Sequence, residues 1–258
     1  MSRVASVALN TFREAVRDRV LYNLVLFALF MIAAAIFVGQ ISIGVNRDVI
    51  VNLGLSAISV IGLLIAVFIG VGLVSKEMDK RTLYALLAKP VRRWEFLLGK
   101  FLGLFLTLTV NTAAMALGLF VALKYVTHTL DSGDMSVLIA VYFILLKLGL
   151  VVALALLFSC FTTPLLAILY TAGLYIAGQF IEEMRTLKTA DLSAGAQNIL
   201  HAISYLLPNF ENFNAMAAAA HKMAVPGALI GYNTLYAALY CGIILTIAIA
   251  VFSRRNLK

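Results

Sequence analysis

The sequence predicts an all-α integral membrane protein with six spanning helices, and three observations carry that expectation. Hydrophobic residues make up 63% of the 258, charged residues only 12%, and mean hydropathy is +1.01, far outside soluble-domain usage. Several apolar runs reach the roughly 20 residues that a bilayer-crossing helix needs. Lysine and arginine gather between those runs, seven of them from Lys76 to Lys100. The net charge of +8 therefore fits lipid headgroups and orientation better than nucleic acid.

Taken in order, residues 1–19 pattern as an amphipathic helix. Val4, Val7, Ala8, Thr11, Phe12, Ala15 and Val16 fall on one side, and Arg3, Arg13, Glu14, Arg17 and Asp18 largely on the other. Such a helix can lie in the membrane interface, with a plain cytosolic lead-in as the alternative. The mixed residues before the first apolar run, and the length of that run, argue against a cleavable signal. Spans are expected at 20–41, 53–74, 101–122, 137–159, 165–181 and 233–252, all within one transmembrane domain covering 1–258. The second carries Gly54, Gly62, Ala66 and Gly70 at multiples of four, a smooth stripe for close helix approach. The third has Thr107, Thr109, Asn111 and Thr112 as its polar content, and Phe161 to Pro164 makes a tight turn before the fifth.

Residues 182–231 form the longest non-spanning segment. Ile199, Ile203, Leu206 and Leu207 have helical spacing, Pro208 interrupts, and Asn214 to Ala224 is alanine-rich. One or two short helices are expected there, lying on the interface as a lid and ending near Pro226 and Gly227. With six spans, both termini and the 76–96 loop share a side. That side holds 14 Lys and Arg against 5 on the other, which places both termini in the cytoplasm and 182–231 outside.

The 76–96 loop has its own pattern. Leu83, Leu86 and Leu87 recur at i, i+3 and i+4, with Lys80 and Arg81 in the first turn. Basic residues there oppose the helix dipole, so they serve something other than helix stability. Pro90 disfavours the α conformation at Lys89 and ends the helix, and Trp94 is placed as an interfacial aromatic. The loop reads as a short helix across the cytoplasmic mouth, or else as a solvated turn.

Several chemistries are missing. Gly99-Lys100 lacks the earlier glycine of a P-loop, and there is no zinc-protease motif, paired-cysteine zinc motif or serine nucleophile elbow. Cys160 and Cys241 lie in or beside apolar spans, so neither a metal site nor a structural disulfide is expected of them. None of the twelve Asp and Glu falls mid-span, where an ion-coupled carrier usually keeps one. Enzymatic activity is not expected of this chain, and any uphill transport needs energy from another subunit.

The run Glu77, Thr82-Leu83, Leu86-Leu87-Ala88, Pro90-Val91, Arg93 and Gly99-Lys100 resembles the cytoplasmic loop of ABC transporter permeases of the type-2 exporter class. It looks closest to the multi-copper-enzyme-maturation branch. The amphipathic start, the six spans and the long segment before the last one also fit, so the resemblance covers the whole chain. Arg81 departs from it, standing where many members have glycine. The resemblance implies two permease copies, as a homodimer in a bacterial inner membrane, and two separate ATPases that bring ATP and magnesium. The loop would be a coupling helix, with Glu77, Lys80, Arg81, Thr82 and Arg93 among its contacts or braces and Leu83, Leu86 and Leu87 as its apolar face ended by Pro90.

Lys147 is the one charge deep in a span, about 15 Å of helix from the outer end. It reads either as a pathway group for a polar or anionic substrate or as a structural lysine. Asn111 and Gln179 read as helix-to-helix hydrogen bonds or, for Asn111, as a further pathway group. His201, Met216, His221 and Met223 raise soft-metal handling, but such helices are common without metal, and no metal site is assigned. Three functions follow: an exporter permease powered in trans, a carrier or channel working without ATP, and a scaffold anchoring an extracytoplasmic factor through 182–231.

Overall fold

Apolar runs separated by charged or turn-forming residues give a bundle of helices, and no strand occurs among the described residues. The computed structural model describes residues 3–41, 46–79, 92–127, 134–186 and 207–254. In chain order these form α1 (Arg3–Val16), α2 (Arg19–Ile41), α3 (Asn46–Asp79), α4 (Arg93–Thr127), α5 (Met135–Ser159), α6 (Pro164–Gln179) and α7 (Ile181–Thr186). A 3-10 turn at Glu211–Phe213, α8 (Met216–Ala220) and α9 (Gly227–Arg254) complete them. Alternating direction gives the bundle a loop end, where α3 finishes and α4 begins, and a far end carrying residues 207–226.

Among the described residues, four helices are long and apolar enough to cross a membrane: α3 over Arg47–Leu73, and α4, α5 and α9 whole. The other two expected spans are α2, a 23-residue apolar helix, and α6, which has 16 residues. At 1.5 Å per residue α6 extends roughly 24 Å, less than a hydrocarbon core of about 30 Å. It begins with Pro164 at its first turn, after an extended Thr163, where proline's missing N–H costs nothing. Several boundaries differ from the expectation. Charged residues continue α3 to Asp79, α4 starts eight residues early and runs through Lys124, and α9 starts at Gly227 rather than 233. Hydropathy marks where lipid would end, and helical hydrogen bonding does not stop there.

α5 is the axis of the bundle. Leu148 to Leu156 is buried without a break, so α5 meets neighbours on every side, whereas α9 buries only a narrow stripe including Asn233, Ala237, Ile244, Ala248 and Phe252. Close approach replaces hydrophobic drive inside a bilayer, where lipid is as apolar as leucine. The glycines of α3 supply it: a Cβ on Gly54 would strike Leu119 of α4, and one on Gly62 would lie 2.6 Å from Leu148 Cδ1 of α5. Gly70 faces Ala155 of α5, and Ala66 is buried.

Residues 207–220 do more than cover helix ends. Phe210, Phe213, Ala219 and Ala220 are buried, and α8 packs between α3 and α5. Of the 182–231 segment expected as a lid, residues 187–206, with Ile199, Ile203 and Leu206, lie outside the described residues, and 207–220 form a wedge set into the far end.

Candidate functional site

α3 and α4 have 34 and 35 residues, roughly 51 and 52 Å of helix, so both outrun the apolar core toward the charged loop. Glu77 stands on the last turns of α3. Lys80, Arg81, Thr82, Leu83, Leu86, Leu87 and Pro90, and with them the expected coupling helix, lie outside the described residues.

Arg93 opens α4, and its guanidinium reaches across to α9. Nη1 donates to the carbonyl oxygens of Phe252 at 3.0 Å and Ser253 at 2.7 Å, in the last turn of α9. The guanidinium carbon also lies 6.0 Å from the centre of the Phe252 ring. A cation on the last carbonyls of a helix satisfies acceptors that have no intrahelical donor and opposes the negative end of the dipole. Glu95 caps the start of α4 by accepting from the Arg92 N–H at 2.8 Å, and it lies 4.0 Å from Arg3 of α1.

The apolar side of α1 packs on α4. A Cβ on Gly99 would be 2.6 Å from Val7 Cβ, and one on Gly103 would be 2.5 Å from the Ala8 carbonyl oxygen. The Gly-x-x-x-Gly spacing thus lets the two backbones nearly touch. Between these glycines Lys100 is buried, its Nζ 3.7 Å from Glu14 Oε2 and 5.7 Å from the centre of the Phe96 ring. Thr11 is buried in the same seam and donates to Val7 O at 3.0 Å.

Halfway along the bundle, Lys147 is buried on α5 with Nζ 5.8 Å from the centre of the Tyr175 ring of α6. Tyr175 packs at 5.2 Å against Phe210 of the wedge, and its hydroxyl accepts from Gln179 Nε2 at 2.9 Å. The amine therefore meets a π-face shielded from water, the setting in which a cation–π contact is worth about 2 kcal/mol. Asn111 turns instead to its own helix, donating to Thr107 O at 2.8 Å. Gln179 likewise bonds within α6, so neither amide makes the expected helix-to-helix bond through these donors.

At the far end Arg47 is the hub. It donates to the carbonyls of Ala219, at 3.2 Å, and Ala220 at the end of α8, and to Asp134 Oδ1 at 2.8 Å beside the start of α5. From α9, Asn233 Nδ2 donates to Asn212 O at 2.7 Å, and the Tyr236 hydroxyl accepts from the Asn209 N–H at 2.8 Å. Of the soft donors, Met216 Sδ accepts from the Ser56 hydroxyl at 3.8 Å and His221 Nδ1 lies 3.5 Å from Asp48 Oδ2.

A family model described as "ABC-2 family transporter protein" matches residues 5–257. The chain belongs to that family. It is a multi-pass membrane protein of the ABC-2 permease type, and permeases of this family work with a partner ATPase subunit. No curated protein matches the sequence significantly.

In this ABC-2 permease the structure brings together residues that the sequence left apart. Arg93 was expected to serve the loop, and it also reaches the C-terminal end of α9 across 159 positions. Lys100 with Glu14, and Arg47 with Asp134, were not singled out as pairs; both join distant helices, and no spacing rule reveals such a contact. The Gly99 and Gly103 spacing was a readable signal for close helix packing.

Proposed function

We propose that this permease is the membrane subunit of an ABC exporter, in which a separate ATPase pair hydrolyses ATP and the 76–96 segment receives the resulting motion. The observation that carries this reading is the continuation of α3 and α4 beyond the apolar core into the charged segment, in a chain matched to the family over almost its whole length. Two long helices joined through one loop would move together if a soluble partner seated on that loop shifted. In this reading the loop and both termini face the cytoplasm of a bacterial inner membrane. Two copies form the pathway, and α2, α6 and α9, which expose Phe30, Leu169 and Leu239 among others, meet lipid or the second copy. In this reading it belongs nearest the multi-copper-enzyme-maturation branch, supported by the resemblance of the loop run, and few polar groups in its apolar helices suit a hydrophobic or amphiphilic cargo.

Lys147, seated on Tyr175, is the pathway group of this account, and Asn111 braces α4. Lys147→Met is expected to lower transport-linked ATP hydrolysis; unchanged stimulation removes Lys147 from the pathway. The reading as a whole is tested by native purification. A stoichiometric ATPase should accompany the permease and be lost on charge reversal at Glu77 or Arg81. Nucleotide-independent flux in liposomes would favour a carrier, and assembly with only an extracytoplasmic factor would favour a scaffold.

A further inference from the structure

α9 has no proline over its 28 residues and buries only a narrow stripe, yet it is pinned by hydrogen bonds near both ends. At the loop end its last carbonyls take the Arg93 guanidinium, and the ring of Phe252 packs 6.1 Å from Phe96. At the far end Asn233 and Tyr236 hold the backbone of Asn212 and Asn209, and Tyr236 packs against Phe213 with ring centres 6.1 Å apart. The span from Tyr236 to Phe252 is sixteen residues, roughly 24 Å of continuous helix.

Those bonds are directional and link backbone to side chain at each end. An α-helix is stiff along its axis because every turn is hydrogen-bonded to the next. A displacement of the start of α4 therefore pulls on the C-terminal turn of α9, and the other end of α9 carries the 207–213 backbone with it. α5 is held more firmly, being buried without a break from Lys147 to Leu156.

We infer that Arg93 is a positioning residue that ties the exit of the charged loop to α9, which acts as a push-rod to the far-end wedge. The inference rests on the proposed reading that motion enters at the 76–96 segment, and it adds where that motion goes. Arg93 then acts through α9 and needs no contact with the ATPase to matter.

Hydrogen–deuterium exchange on the purified permease–ATPase complex tests this, with and without a non-hydrolysable ATP analogue and magnesium. In the wild-type complex, nucleotide should change exchange in two places, residues 76–91 and residues 207–220. Arg93→Gln, shorter and uncharged, should keep the first response and lose the second, and Arg93→Lys, which keeps the charge and most of the reach, should recover part of it. Tyr236→Phe removes the acceptor for the Asn209 N–H at the opposite end and should give the same loss, which carries the test if Arg93→Gln does not assemble. A far-end response that persists in either Arg93→Gln or Tyr236→Phe overturns the inference. So does a wild-type complex in which the loop responds and the wedge does not, with the coupling reading left standing. A loop that ignores nucleotide refutes the coupling reading itself and takes this inference down with it.

Discussion

At the loop end α1 lies on α4 with backbone nearly against backbone at Gly99 and Gly103, whereas at the far end the 207–220 wedge is also pinned by side-chain bonds from Arg47, Asn233 and Tyr236. The first attachment depends on shape and cannot absorb added volume. The second includes discrete polar bonds that can be removed one at a time. Inside a bilayer neither gains much from burying apolar surface, so the bundle relies on van der Waals fit in one place and on backbone satisfaction in the other. The contrast makes the loop end rigid and leaves the far end held by bonds that can be exchanged.

Substitutions that add volume or remove a single bond separate the two modes. Gly103→Val should have the largest effect, because its Cβ would meet the Ala8 carbonyl and Thr11, and backbone cannot step aside. A loss of about 3 kcal/mol is expected, seen as a lower Tm and faster tryptic cleavage after Arg13 and Arg17. Arg47→Met comes next. It strips the α8 carbonyls and Asp134 of their donor, and since both side chains keep some exposure the cost is about 2 kcal/mol. Faster hydrogen exchange confined to 207–220 would be its signature.

Smaller effects sharpen the same contrast. Gly62→Ala meets only Leu148 Cδ1, the tip of a side chain that can turn, so about 1 kcal/mol is expected in the same melting assay. A loss as large as that of Gly103→Val would mean that α3 and α5 are as unyielding as the α1 seam. Tyr142→Phe removes one bond to Thr234 Oγ1, whose own proton is committed to Ile230 O, so Tyr142 is the donor. Its cost should be about 0.6 kcal/mol, typical of one interhelical bond in a membrane protein.

Much of the bundle was legible, for physical reasons. Long apolar runs announced α3, α4, α5 and α9, and the small residues at Gly54, Gly62 and Gly70 announced surfaces that other helices approach. The helix ends were not legible, because Lys76 to Asp79 and Arg93 to Lys100 are charged enough to leave lipid yet remain good helix formers. The wedge was read as an interfacial lid because the burial of Phe210 and Phe213 depends on helices far away in sequence. The destination of Arg93 was hidden for the same reason: carbonyls freed at the end of α9 leave no mark in a residue pattern.

If residues 76–96 meet a nucleotide-hydrolysing partner, as proposed, a photo-crosslinking side chain at Leu86 in the native assembly should capture it. A crosslink to an ATPase subunit is expected, and it should strengthen or weaken when ATP and magnesium are added. A crosslink confined to lipid or to the permease itself, in an assembly shown to be intact, would contradict it.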